Sequence, residues 1–172
     1  MRKTHVVALV VLSGAVANLL WTGTAAADQN YRTQKYPVTA VDAPAARGSV
    51  INIHANGPVI YGLERYSLVG AEPSMTYQVT LTIYADPKCT TPVVVGGQPL
   101  AFPTALLTTN AVGNGHAKAV FSAQQVAPLV PVKTTVAGEW TFSDADGVAY
   151  TTGCRLIDLD VPPPPPPGHA RP

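Results

Sequence analysis

The chain has 172 residues, with 17 Pro, 14 Gly, 2 Cys and 12% charged residues. That length suits one domain. Eleven Lys+Arg against ten Asp+Glu give a formal net charge of +1, a balance that argues against nucleic acid or an anionic membrane as the main partner, since both select a basic surface. The composition also excludes a coiled coil and an acidic disordered chain.

Residues 1–27 read as a secretory signal. Arg2 and Lys3 give a positive start, Val6 to Trp21 is almost wholly apolar, broken by Ser13, Gly14 and Asn18, and Ala25-Ala26-Ala27 places small residues at a cleavage site. The apolar stretch is about 16 residues, short of the roughly 20 that span a bilayer as a helix. No stable membrane insertion is expected after cleavage, and the mature chain is expected outside the cell. Losing Arg2 and Lys3 leaves nine basic against ten acidic residues.

Residues 28–47 are polar and mixed, with a first strand candidate at Val38–Val41. The expected folded domain runs over 48–161. Ser49–His54 reads as a short strand closed by Asn56-Gly57-Pro58, and Val59–Val69 as the next. From Thr76 to Tyr84 the pattern has a strict period of two. Tyr77, Val79, Leu81 and Ile83 fall on a buried face, and Gln78, Thr80, Thr82 and Tyr84 fall towards water. A Pro-bounded loop from Asp86 to Pro92 follows, then strand candidates at Val93–Val95 and Leu100–Leu107 and a turn at Gly113-Asn114-Gly115. Ala117–Phe121 reads as a strand or as the opening of a helical turn through Ser122–Val126. Val136 to Ser143 alternates again. Asp144-Ala145-Asp146-Gly147 makes a hairpin into Val148–Thr152, and Cys154–Val161 is the last strand. Pro162–Pro167 is a polyproline run in a tail, 162–172, that cannot join a sheet. Seven to eight short strands without long helical periodicity predict an all-β fold, an antiparallel β-sandwich or small barrel, of which the sandwich is the expected architecture.

Cys89 and Cys154 are the only cysteines. In an exported chain an even count predicts a disulfide. The pair, with Trp140 and Tyr150 ahead of the second Cys, resembles the layout of immunoglobulin-type domains. The resemblance implies immunoglobulin-like architecture alone: Trp140 lies too late in the chain, Tyr150 stands four residues before Cys154 rather than two, and Cys89 sits in a loop.

Motifs for chemistry are sparse. Asp144-x-Asp146-Gly147 lacks the later ligands of a calcium loop and reads as a turn. Asp158 and Asp160 share one strand face, as paired acids at glycosidases do, but also as edge-protecting charges do. His54 and His116 stand beside turns, without a nucleophile elbow or a zinc-spaced partner. No cofactor or metal motif is read. The function expected is a secreted, non-catalytic binding or interaction module at or outside the cell envelope. Its partner would be protein or glycan, and its surface would draw on Gln78, Thr80, Thr82 and Tyr84 and on the loops that hold His54 and His116. One alternative is an extracellular hydrolase using Asp144, Asp146, Asp158 or Asp160 with His54 or His116. Another is a structural envelope component with the proline tail as a spacer.

Overall fold

A computed structural model describes residues 32–43, 45–55, 60–126 and 134–159. Residues 1–27, read above as a signal, Asn56-Gly57-Pro58, Asp160 and residues 162–172 lie outside the described residues. In chain order the strands are β1 (Arg32–Ala40), β2 (Ala46–His54), β3 (Gly62–Leu68), β4 (Thr76–Tyr84), β5 (Val94–Val95), β6 (Gln98–Pro99), β7 (Ala101–Thr108), β8 (Gly115–Phe121), β9 (Thr134–Asp144), β10 (Gly147–Thr151) and β11 (Arg155–Leu159). A single helical turn, α1 (Ala123–Val126), follows β8. The fold is all-β and antiparallel with one disulfide, as expected from the alternation.

Hydrogen bonds join nine strands into one sheet of order β7-β4-β9-β10-β1-β2-β3-β8, with β11 on β9, and β5-β6 form a small separate ladder. The sheet curls nearly into a barrel. Its two outer strands meet through the short 109–114 turn, where Thr109 and Gly115 form an isolated bridge. A side chain at Gly115 would lie 2.5 Å from Leu107 Cδ2 and 2.9 Å from the Thr108 carbonyl oxygen. Only glycine lets β7 and β8 come this close.

β4 matches its sequence pattern at both ends, because every inward residue is apolar. The sheet also starts earlier than 48, since β1 sits inside it between β10 and β2. β1 is hard to read because its first inward positions, Arg32 and Gln34, are polar, and its outward ones are Thr33, Lys35 and Pro37. Tyr36 and Val38 alone signal its buried side. Pro37 is tolerated because its nitrogen shares parity with Val41, whose N–H reaches Ala149 on the β10 side. It therefore takes no donor from the β1–β2 ladder. The 115–121 stretch is strand, and the helical turn begins only at Ala123. Alternating His116, Lys118 and Val120 outward and Gly115 and Ala119 inward settle that ambiguity.

Aromatic side chains fill the interior. Trp140, Tyr66, Tyr77 and Phe142 are the largest fully buried groups, with Leu68, Leu107, Ile157, Val38, Val50 and Val79 around them. Tyr36 stacks on Trp140 at 5.2 Å, and edge contacts join Tyr66 to Phe142 and Tyr77 to Tyr150. Such pairs add to the burial of their own area.

Cys89 and Cys154 are bonded, with Cα atoms 5.6 Å apart. The bridge ties the loop after β4 to the turn before β11. Within that loop the Asp86 carboxylate accepts the N–H groups of Lys88, Thr90 and Thr91 at 2.9, 3.0 and 2.7 Å. Desolvation works in the other direction, but these donors win and hold the Asp86 carboxyl below its usual range.

Candidate functional site

The residues singled out from sequence fall in three places. Gln78, Thr80, Thr82 and Tyr84 share the outward face of β4, half-buried among their neighbours. His116 is exposed on β8, a strand that does not adjoin β4. His54 is a correction as a surface residue. It is 5% exposed, shares inward parity with Val50 and Asn52, and presents an edge contact to Tyr61. Strand parity, rather than its nearness to a turn, decides where its ring goes.

Around β4 the outward face is built in register. Thr80 lies opposite Thr141 of β9, Thr141 opposite Thr151 of β10, and Thr151 opposite Thr39 of β1. Four threonines therefore form one row across four strands, about 14 Å long at the usual strand spacing of roughly 4.8 Å. Three of the four hydroxyls, those of Thr39, Thr141 and Thr151, are hydrogen-bonded within the sheet. Thr39 donates to the Thr151 carbonyl at 3.4 Å, and Thr151 donates to Glu139 Oε1 at 2.6 Å. Glu139 lies opposite Thr82 and also receives the Tyr84 hydroxyl at 3.4 Å. Burial first, and then the Glu139 charge, push the Tyr84 hydroxyl above its usual range. Gln78 is spent on structure, since its amide donates to the Val79 and Ala105 carbonyls. The row thus offers aligned methyls and hydroxyls beside one aromatic ring and one engaged carboxylate.

The acids singled out from sequence do not gather around a histidine. Asp144 and Asp146 stand at the β9–β10 hairpin, where Asp144 Oδ1 accepts the Asp146 N–H at 2.8 Å. Gly147 there has a φ of 126°, the conformation the turn reading requires. His54 ends β2 at the other end of the sheet, since β2 is antiparallel to β1 and β1 antiparallel to β10. Asp158 of β11 lies opposite Thr135 of β9, and Asp160 lies outside the described residues. Among the described residues no group of three or more His, Cys, Asp or Glu is placed to hold a metal ion.

The most perturbed acid was not visible from sequence. Glu64 is buried inside the sheet on β3, sharing inward parity with Tyr66 and Leu68. Its Oε2 accepts the Trp140 indole N–H at 3.0 Å and the Tyr66 hydroxyl. Desolvation pushes the carboxyl up to about 7, and the two hydrogen bonds moderate that rise. Gln34, Asn52 and Glu64 occupy one inward row of β1, β2 and β3, which makes this end of the interior polar. The available signal was the parity of Gly62, Glu64, Tyr66 and Leu68. A strand read as starting at Val59 obscures it.

No protein-family model, curated protein or solved structure matches the chain.

Proposed function

We propose that the protein is a secreted, non-catalytic binding module acting at or outside the cell envelope, with the β4–β9–β10–β1 face as its contact surface. The observation that carries this reading is the row Thr80, Thr141, Thr151 and Thr39, four hydroxyls held in register on a rigid sheet. A neutral glycan presents hydroxyls and apolar ring faces, and threonine presents a hydroxyl and a methyl to meet them. Tyr84 adds an aromatic surface of the kind that contacts sugars and proteins at low ordering cost. Because the sheet holds these groups before any partner arrives, little conformational entropy is lost on contact. The disulfide is compatible with an oxidising compartment.

The test is a neutral-glycan array probed with the mature chain and with Thr141→Lys, which plants a long cation in the middle of the row. The reading predicts at least one neutral glycan ligand and a tenfold or greater loss in the variant, with circular dichroism unchanged. Binding that survives the lysine, or an array with no neutral ligand at all, contradicts it.

A further inference from the structure

The other outward face of the sheet has a different chemistry. On β1, β2, β3 and β8, Lys35 lies opposite Ile51, Ile51 opposite Arg65, and Arg65 opposite Lys118. Lys35, Arg65 and Lys118 are all exposed. The next outward row carries Ser49, Ser67 and exposed His116, and the row on the other side carries Ile53, Leu63 and Val120. The four strands contain a single carboxylate, Glu64, and it points inward. With a net charge of only +1 over the whole chain, this cationic row reflects segregation of charge rather than an excess of it.

Its arrangement opposes stability. Like charges directly opposite on adjacent antiparallel strands repel, and Arg65 faces Lys118 with no acid on either neighbouring outward position. A local rule broken without compensation inside the fold is expected at functional or strained sites. A bound anion laid across β3 and β8 would supply that compensation.

We propose that this face binds an acidic polysaccharide, through carboxylates spaced along the polymer. Arg65 is suited to a carboxylate because its planar fork donates two parallel hydrogen bonds. Lys118 and Lys35 extend the contact to either side, and half-buried Ile51 between Lys35 and Arg65, with half-buried Leu63 in the adjoining row, gives an apolar floor for a sugar ring. A polymer repeats its charge, so a few contacts at a time are reinforced by rapid recapture at neighbouring units. A lipid surface fits less well: of the large apolar residues on this face Val120 is exposed, at 47%, beside the exposed Pro37 ring, while Ile51, Ile53 and Leu63 are half-buried, and three cations without a long inserting side chain make a weak membrane anchor. Single-stranded nucleic acid is held by aromatic platforms, and Tyr36 and Tyr66, the aromatic residues of β1 and β3, are buried. This site is separate from the threonine row and stands or falls independently of it.

The experiment measures binding of the mature, disulfide-bonded chain to immobilised polygalacturonate at low and moderate salt, beside neutral dextran and vesicles of phosphatidylglycerol in phosphatidylcholine. The expected result is binding to polygalacturonate alone that weakens steeply with salt. Arg65→Glu is expected to lower it at least tenfold while melting no lower than the parent, because the introduced carboxylate then faces Lys118 as an opposite charge. Arg65→Gln with Lys118→Gln repeats the test without reversing charge. Thr141→Lys is expected to leave this binding intact. The proposal is overturned by absence of polygalacturonate binding at low salt, by equal binding to the vesicles, or by charge variants that bind as well as the parent.

Discussion

The two outward faces of this sheet are made by the same fold and differ in what their hydrogen bonds and charges have been used for. On the β4–β9–β10–β1 side the one carboxylate at an outward position, Glu139, is engaged by Thr151 and Tyr84, and the threonine hydroxyls of Thr39 and Thr141 are turned onto neighbouring carbonyls. On the β1–β2–β3–β8 side, Arg65 and Lys118 face each other across a strand pair. The first face is internally satisfied and the second is not. Under the two proposals above, the satisfied face would recognise a partner by shape and aligned dipoles and the frustrated one by charge. The two are coupled through the interior, because Glu64 hangs from β3 under the basic face and is held by Trp140 from β9 under the threonine face.

Both faces depend on a shared rigid frame, and the largest effect tests that frame. Replacing Cys89 and Cys154 by Ser opens a loop of 65-residue separation and is expected to lower stability by about 4 kcal/mol, measured by urea unfolding. A negligible change would mean that the frame does not depend on the bridge.

Next in size is the strut between the faces. Burial raises the Glu64 carboxyl from 4.5 to about 7, so the folded chain keeps a proton that the unfolded chain has already released. Its contribution is therefore favourable at low pH and is lost as pH rises from about 4.5 through 7, by about 3 kcal/mol in all. Glu64→Gln removes that titration. The stability difference between parent and variant is expected to shift in the variant's favour between pH 4 and pH 8. A difference independent of pH would place the carboxylate in a less confined setting than its burial indicates.

Smaller effects separate the faces. Arg65→Glu converts a repulsive cross-strand pair into an attractive one and is expected to raise stability by about 0.2–1 kcal/mol, read from the unfolding midpoint. Thr80→Val keeps the β-branched shape on the satisfied face and is expected to change stability by no more than about 0.5 kcal/mol. A loss well above that would show the threonine row to be a structural ladder first and a surface second.

How much was legible in the sequence depends on what each strand's inward positions hold. β4 is legible because Tyr77, Val79 and Ile83 are buried and apolar. The disulfide is legible because two cysteines admit one intramolecular pairing. β1 is partly hidden by inward Arg32 and Gln34, and Glu64 is hidden because a charged residue inside a sheet imitates an outward one. His54 is misread for the complementary reason: a histidine beside a turn suggests the surface, and parity sends it inside. The surface rows were beyond reach, since Thr39, Thr80, Thr141 and Thr151, like Lys35, Arg65 and Lys118, come together only through cross-strand register. Net charge near zero concealed the second row, because a sum carries no information about segregation.

The most direct single measurement is a paired titration and melt of Arg65→Glu against the parent, on polygalacturonate at low salt. The account predicts that affinity collapses while the melting temperature holds or rises, since the residue that strains the sheet is the one that holds the polymer. Affinity unchanged, or affinity and melting temperature falling together, would contradict it.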